Sequence, residues 1–382
     1  MKKIVCMATS PWYPIPTRKQ QVMSRIPDAE ILYFDPSVTY LAPLRDKAAR
    51  AALRACKNPG VKPQENITVY ALPPVLPFYN RFRWINKLNQ RRMARFVRKK
   101  MRAHGFDTAL LWVYSPVTVD LVDHVPHTAL VYDCVDRHSA YGGLMNPALV
   151  DRMELELAAK TDQTFATAQA LADRLRTAQP HTDMIPNGAN FERFSQAAQP
   201  QSMPDDLKDL PRPIFGFVGA LQTCIEYGYV AKAAEARPEW SFVFIGNEKP
   251  GADLSALRAL PNVHFLGLKP NEQLPQYLAQ FDACLNLFVD NALSKDVSPL
   301  KFFEYLATGK PIVSTRQPEQ ILQYAPLIEI ADSAENFIRC CERSLADATP
   351  ARNAARVEAG RACSWDSRVA QLCEVLRGRG IL

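Results

Sequence analysis

Between Ser298 and Thr315 the chain reads SPLKFFEYLATGKPIVST, and its polar residues are spaced to hold an anion. Pro299 suits the first position of a helix, Ser298 its N-cap and Gly309 its stop. Leu300, Phe303, Leu306 and Ala307 form the face that packs on a sheet. Lys301, Glu304 and Thr308, at i, i+3 and i+7, form a second and polar face. Helical side chains lean toward the N-terminus. Lys301 and Glu304 are therefore aimed at the end where free N–H groups and the positive dipole attract an anion. A diphosphate there would meet Lys301, and a ribose beside it would offer two hydroxyls to Glu304. The pattern alone also fits a capped surface helix with one Lys/Glu pair.

A second group of chemistry-bearing residues lies in the first half. Asp133, Asp136 and His138 follow an apolar strand, at the carboxyl end where α/β sheets take ligands. Asp136 or His138 suits deprotonation of a hydroxyl; alternatively Asp133 caps a turn and the other two are solvated. Arg18 and Lys19, in the loop SPWYPIPTRKQQVMSRI, precede a helix expected over Gln20 to Ile26. They suit a phosphate on a substrate, or a solvated turn.

These residues need a frame. Short apolar runs alternate with helices of about ten residues, which implies βαβ units and parallel sheets. In the second half the runs are Ile214 to Val218, Ser241 to Ile245, Val263 to Leu266, Ala283 to Phe288 and Ile312 to Thr315. Three of them end in Gly219, Gly246 and Gly267, where a ligand can approach the backbone. In the first half they are Lys3 to Ala8, Ile31 to Phe34, Ile67 to Ala71, Ala109 to Val113, Ala129 to Asp133 and Gln163 to Ala166. Helices are expected over Trp84 to His104, Pro147 to Ala159, Tyr229 to Ala236, Asn271 to Phe281 and Trp365 to Leu376. With 382 residues, 47% of them hydrophobic, the chain has material for two cores. Gln196 to Pro213, rich in Pro, Gln and Asp, reads as the linker between them.

The Ser298–Thr315 stretch resembles the donor-nucleotide signature of GT-B glycosyltransferases, a P-x-K-x-x-E-x-x-A-x-G-x-P-x-V pattern. VYDCVDRHSAYGG (Val131 to Gly143) and PNGANFERF (Pro186 to Phe194) resemble segments of a bacterial polysaccharide branch of that superfamily. FGFVGAL, WSFVFIG and NVHFLGLKP resemble the first strands of its nucleotide domain. The resemblance implies two facing Rossmann-like domains. Residues 1–195 would take the acceptor and 213–364 the nucleotide-sugar, with the helix in 365–382 crossing back to the first domain. It implies that Gly219 and Ala220 face the diphosphate through backbone N–H groups, that Gly246 closes a strand at the cleft, and that Leu268 meets the base through its backbone. Ser298, Pro299 and Leu300 would bring the helix end to the diphosphate, with Lys301 and Lys295 adding charge and Glu304 holding the ribose. Asp296 stands where retaining members often carry a second Glu, one methylene longer. Arg18 and Lys19 would lie near an acceptor phosphate, where similar sequences carry an Arg-Gln pair. The donor base implied is uridine, and retention is the expected stereochemistry. Asp133 and Asp136 are three apart, so the D-x-D metal triplet of the other glycosyltransferase fold is absent. No metal or other cofactor is expected.

Composition narrows the setting. The nine cysteines are scattered, without a C-x-x-C pair, which fits a reducing cytoplasm rather than a disulfide framework or zinc site. The apolar run at the N-terminus is too short for a signal peptide, and none approaches the roughly 20 residues of a membrane span. Residues 81–102 hold ten Lys or Arg and no acid, with Phe78, Tyr79, Phe82, Trp84 and Ile85 at their start. Such a segment suits an anionic membrane surface and so a lipid-linked or oligosaccharide acceptor; no nucleic-acid module is visible. The expectation is a cytoplasmic, peripherally bound transferase of bacterial surface polysaccharide. A non-hydrolysing nucleotide-sugar epimerase and a non-catalytic partner of the same fold are the alternatives.

Overall fold

The computed structural model describes residues 1–42, 49–51, 53, 59–140, 145–291 and 294–382. Tyr141, Gly142 and Gly143 of the segment singled out above lie outside the described residues. The chain forms two α/β units, Met1–Pro186 with Val369–Leu382, and Asn187–Arg368.

The first unit contains β1 (Lys2–Met7), α1 (Arg18–Met23), β2 (Ala29–Asp35), β3 (Val61–Gln64), β4 (Ile67–Ala71), α2 (Arg83–Ala103), β5 (Ala109–Val113), β6 (His127–Cys134), α3 (Pro147–Ala158), β7 (Gln163–Ala166), α4 (Gln169–Arg176) and β8 (Thr182–Met184). The sheet order is β3-β4-β2-β1-β5-β6-β7-β8, and every pairing is parallel except β3 with β4. Side chains alternate across the pleat. Val5, Met7, Leu111 and Val113 enter the core beneath α2, α3 and α4, while Ile4, Cys6, Leu110 and Trp112 enter the core on the opposite face.

The second unit contains β9 (Ile214–Val218), α5 (Gly228–Ala236), β10 (Ser241–Ile245), β11 (Val263–Phe265), α6 (Leu274–Gln280), β12 (Ala283–Asn286), α7 (Leu300–Thr308), β13 (Ile312–Thr315), β14 (Glu329–Ala331), α8 (Ala334–Ala346) and α9 (Pro350–Ala362). Its all-parallel sheet runs β11-β10-β9-β12-β13-β14, so the strand order reverses between β9 and β12. That is the doubly wound order, and its ligand crevice lies outside the carboxyl ends of the two strands flanking the reversal.

The division falls at Pro186, earlier than the expected 195, because residues 187–195 are bound into the second unit. Asn187 hydrogen-bonds Ser298, Ala189 bridges to Ser364, and Phe194 is buried in the second unit's core. The stretch expected as a linker is also part of that unit, since Ala197 and Leu207 join the same core. The last helix, α10 (Trp365–Gly378), belongs to the second unit up to Arg368 and to the first beyond it. Its Val369, Leu372, Cys373 and Leu376 are buried against the first unit's sheet. No helix among the described residues is long and apolar enough to cross a membrane.

Candidate functional site

In the second unit the three strand ends are knitted together. Gly219 N–H donates to Ile245 O and Gly246 N–H to Gly267 O, both at 2.9 Å. Gly246 has φ +153°, and a Cβ there would lie 1.8 Å from Gly219 O, so only glycine fits. A Cβ on Gly219 would sit 4.0 Å from Lys301 Cγ, which places the loop after β9 beside the first turn of α7. Tyr305 locks this arrangement. Its hydroxyl accepts from Val218 N–H at 2.8 Å and lies 3.2 Å from Val218 O.

The helix begins one residue later than expected. Pro299 is its N-cap, no side chain caps it, and Gly309 ends it in the left-handed conformation at φ +75°. Ser298 is not the cap because its Oγ accepts from Asn187 N–H at 3.0 Å and its carbonyl accepts from Asn187 Nδ2 at 3.2 Å. The first turn of α7 therefore keeps N–H groups without a side-chain partner, a ready site for an anion. Lys301 Nζ is 2.7 Å from Glu304 Oε2 and 5.8 Å from the Phe194 ring centroid. The Glu304 side chain is 8% exposed, and among the described residues Oε2 receives no well-directed hydrogen bond beyond that ion pair. A buried carboxylate with unspent acceptor capacity, beside a cation and an open helix end, can take vicinal hydroxyls and a diphosphate together.

The other expected residues of this unit surround it unevenly. Ala220 follows Gly219 and is half-buried. Leu268 directs its side chain to solvent, 74% exposed, leaving only its backbone to recognise a ligand. Asp296 is buried in a short 3₁₀ turn before α7. Lys295 is exposed, with Nζ 3.6 Å from Glu319 Oε1.

In the first unit, Arg18 and Lys19 open α1 rather than sitting in a solvated turn, and both are buried. Arg18, 3% exposed, donates from Nε to both oxygens of the fully buried Asp133 (2.9 and 3.1 Å) and from Nη1 to Pro186 O. Asp133 thus neutralises Arg18 instead of capping a turn, and among the arginine nitrogens only Nη2 lacks a hydrogen bond among the described residues. Lys19 Nζ lies 5.7 Å from the Tyr114 ring centroid, and burial lowers its pKa against the pull of Asp136 and Asp133.

His138 follows β6, with Nδ1 3.1 Å from Asp136 O. A carbonyl only accepts, so Nδ1 carries the proton and Nε2 of the neutral ring is an acceptor. Burial pushes the His138 pKa down, opposed by Glu154 and Asp136. Sequence reasoning missed Glu154, which is fully buried. It accepts from Tyr132, Cys134 and Arg174 and stands 4.0 Å from His138 Nδ1. The signal was present, because Glu154 interrupts the apolar stripe Val150, Met153, Leu157 of α3.

Comparisons with known proteins bear on the fold and on the second unit. Residues 212–347 match the family model of group 1 glycosyl transferases. The Bacillus subtilis protein TuaH, assigned as a teichuronic acid biosynthesis glycosyltransferase, is 28% identical over 236 residues. That match covers 56% of this chain and spans 58% of the relative's length. Among solved structures, sucrose-phosphate synthase from Thermosynechococcus elongatus superposes with a TM-score of 0.68 at 14% identity, covering 99% of each chain. Anabaena HepE, solved with UDP and glucose, superposes with a TM-score of 0.63 at 16% identity over 99% of this chain and 100% of that one. The chain thus has the GT-B fold of these solved structures, and residues 212–347 of its second unit match the group 1 glycosyl transferase model.

Proposed function

We propose that the protein transfers a sugar, without a metal, from a UDP-sugar to a lipid-linked or glycan acceptor of a bacterial surface polysaccharide. The observation that carries this reading is the uncapped first turn of α7, with Lys301 and the buried Glu304, beside the glycine loop after β9. The helix end and Lys301 neutralise the leaving diphosphate, which is the charge a metal would otherwise balance. Glu304 holds the ribose. In the first unit, His138 Nε2 accepts the proton of the acceptor hydroxyl, with Asp136 fixing the ring through its carbonyl. The group 1 family match, the role assigned to TuaH and the UDP and glucose bound to HepE support the donor class.

The basic segment supports a place on the inner face of the cytoplasmic membrane. Of its ten cations, Arg83 is turned inward onto Asp120 and Glu156, and Lys100 lies over the Tyr70 ring. Arg91, Arg92, Arg95, Lys99 and Arg102 are exposed, and Trp84 (66% exposed), Leu88, Phe82 and Phe78 stand beside them. Cations for headgroups and rings for the interface are the two parts of a peripheral membrane contact.

Thermal-shift titration with UDP, GDP, ADP and CMP tests the donor reading. A ligand at about 100 times its Kd stabilises the folded state by roughly 2.7 kcal/mol. UDP should raise the midpoint of the wild type and not of Glu304→Ala; no shift with any nucleotide removes the proposal. Transfer should survive EDTA, and a loss restored by manganese would overturn the metal-free step. Reversing Arg91, Arg92 and Arg95 to Glu should abolish sedimentation with anionic vesicles, and unchanged sedimentation would sink the membrane contact.

A further inference from the structure

The first unit has a reversal of strand order of its own. β1 lies between β2 and β5, and the chain winds outward from it in both directions, so the carboxyl ends of β1 and β5 flank a crevice of the ligand-binding type. A cavity of about 180 Å³ occupies it, walled by Met7 and Thr9 from β1 and its following loop, Ser37 beyond β2, Ser115 beyond β5, and Gln90 and Met93 from α2. Leu72 and Val75 extend its apolar wall. No charged side chain lines it among the described residues.

The buried face of α2 carries three amides where a core helix would carry aliphatic residues: Asn86, Asn89 and Gln90. Two are spent on the protein. Asn86 Nδ2 donates to Val117 O and Asp120 Oδ2, and Asn89 exchanges two hydrogen bonds with the backbone of Leu76. Gln90 is different. It is 1% exposed, its Nε2 donates to Asn86 Oδ1 at 3.2 Å, and its Oε1 is buried with no hydrogen-bond partner among the described residues. A buried acceptor left unpaired is destabilising, and it is rare unless something else completes it.

We infer that this cavity binds an uncharged, hydroxylated ring with one apolar face, whose hydroxyl donates to Gln90 Oε1. Among the described lining residues there is no cation to balance a phosphate, and the apolar wall with Met7 and Met93 suits the C–H face of a sugar. Resting on the glycosyltransferase reading above, the ligand is a neutral sugar of the acceptor. The opposite face of α2 carries the exposed cations and Trp84, so one helix reads the membrane outward and the acceptor inward.

The test uses the full chain labelled with ¹³C-methyl methionine and two soluble probes below their micellar range. Octyl glucoside and octyl phosphate share a chain and differ in the headgroup. Octyl glucoside should shift the Met7 and Met93 methyl signals, and octyl phosphate should leave them in place. Gln90→Leu should weaken glucoside binding by about three- to tenfold, the worth of one neutral hydrogen bond. Ser37→Trp, which fills the cavity from its rim, should abolish it. Silent Met7 and Met93 signals, or an equal response to octyl phosphate, would overturn the inference. A UDP titration of the same sample separates the two readings: stabilisation by UDP with silent methyls fails the cavity alone. Responsive methyls without UDP stabilisation fail the donor site alone. The Arg91, Arg92, Arg95 charge reversal should leave the glucoside shifts unchanged.

Discussion

At the carboxyl ends of β9 and β12 the second unit offers a glycine loop, an uncapped helix, Lys301 and a buried carboxylate. At the carboxyl ends of β1 and β5 the first unit offers hydroxyls, thioethers and a single orphaned amide, with no charge among its described lining residues. The topology is the same in both places, an order reversal in a parallel sheet, and the side chains are opposite. Winding order decides where a ligand goes, and the residues on the two flanking strand ends decide which ligand it is. The charged group of the first unit, Arg18 with Asp133 and His138 near Glu154, gathers one strand further on, at the carboxyl end of β6, where the internal ion pair consumes most of it.

That contrast can be broken by experiment. The largest effect belongs to His138. If it is the base, His138→Asn should lower kcat by about 10²- to 10⁴-fold while UDP affinity stays at the wild-type value. Because burial moves the ring's pKa below its ordinary 6.5, the acid limb of the rate profile should have its midpoint below that value and vanish in the variant. A parallel loss of UDP affinity would erase the division of labour between the units.

Next in size is the proposed donor site. Glu304→Ala should weaken UDP about 100-fold, as expected for two hydrogen bonds to a charged group. Lys301→Ala should weaken it about tenfold and flatten its salt dependence. Equilibrium calorimetry measures both, and wild-type affinity in Glu304→Ala would mean that the ribose lies elsewhere.

The smallest effect tests the first unit's frame. Burial pushes the Asp35 carboxyl from its ordinary 3.8 up to about 6, against the hydrogen bond it accepts from Trp12 N–H. Between those values the folded chain holds a proton that the unfolded chain has released, so stability falls as pH rises through that window. Asp35→Asn keeps an acceptor for Trp12 and should raise Tm by about 2–4 °C near pH 8, with the advantage closing as pH approaches 4. A variant no more stable at pH 8 than the wild type would show that the carboxyl is not held high.

Legibility in the sequence followed burial. β5, β9 and β10 are buried along their full length, and their limits could be read from the apolar runs alone. The strands that escaped, β3, β8 and β14, are all sheet edges of three or four residues, partly exposed and without an apolar run. Helices α4, α8 and α9 also escaped, in stretches without a long apolar run. The signature helix was legible because propensity, spacing and stop residue agreed. Its start was misplaced by one residue because Ser298 has a tertiary partner, Asn187, that local pattern cannot reveal. The acid in α3 and the amides in α2 were visible as polar letters on apolar faces. Only the fold says that Glu154 meets His138 and that Gln90 borders a cavity.

The Tyr305 hydroxyl, bonded to Val218 through both its N–H and its carbonyl, has a kinetic meaning. It holds the loop after β9 and the first turn of α7 in one relative position, so little ordering would be left for the proposed donor to supply on binding. Association should then run at the rate of encounter. Removing this pin should act mainly on how soon the nucleotide leaves.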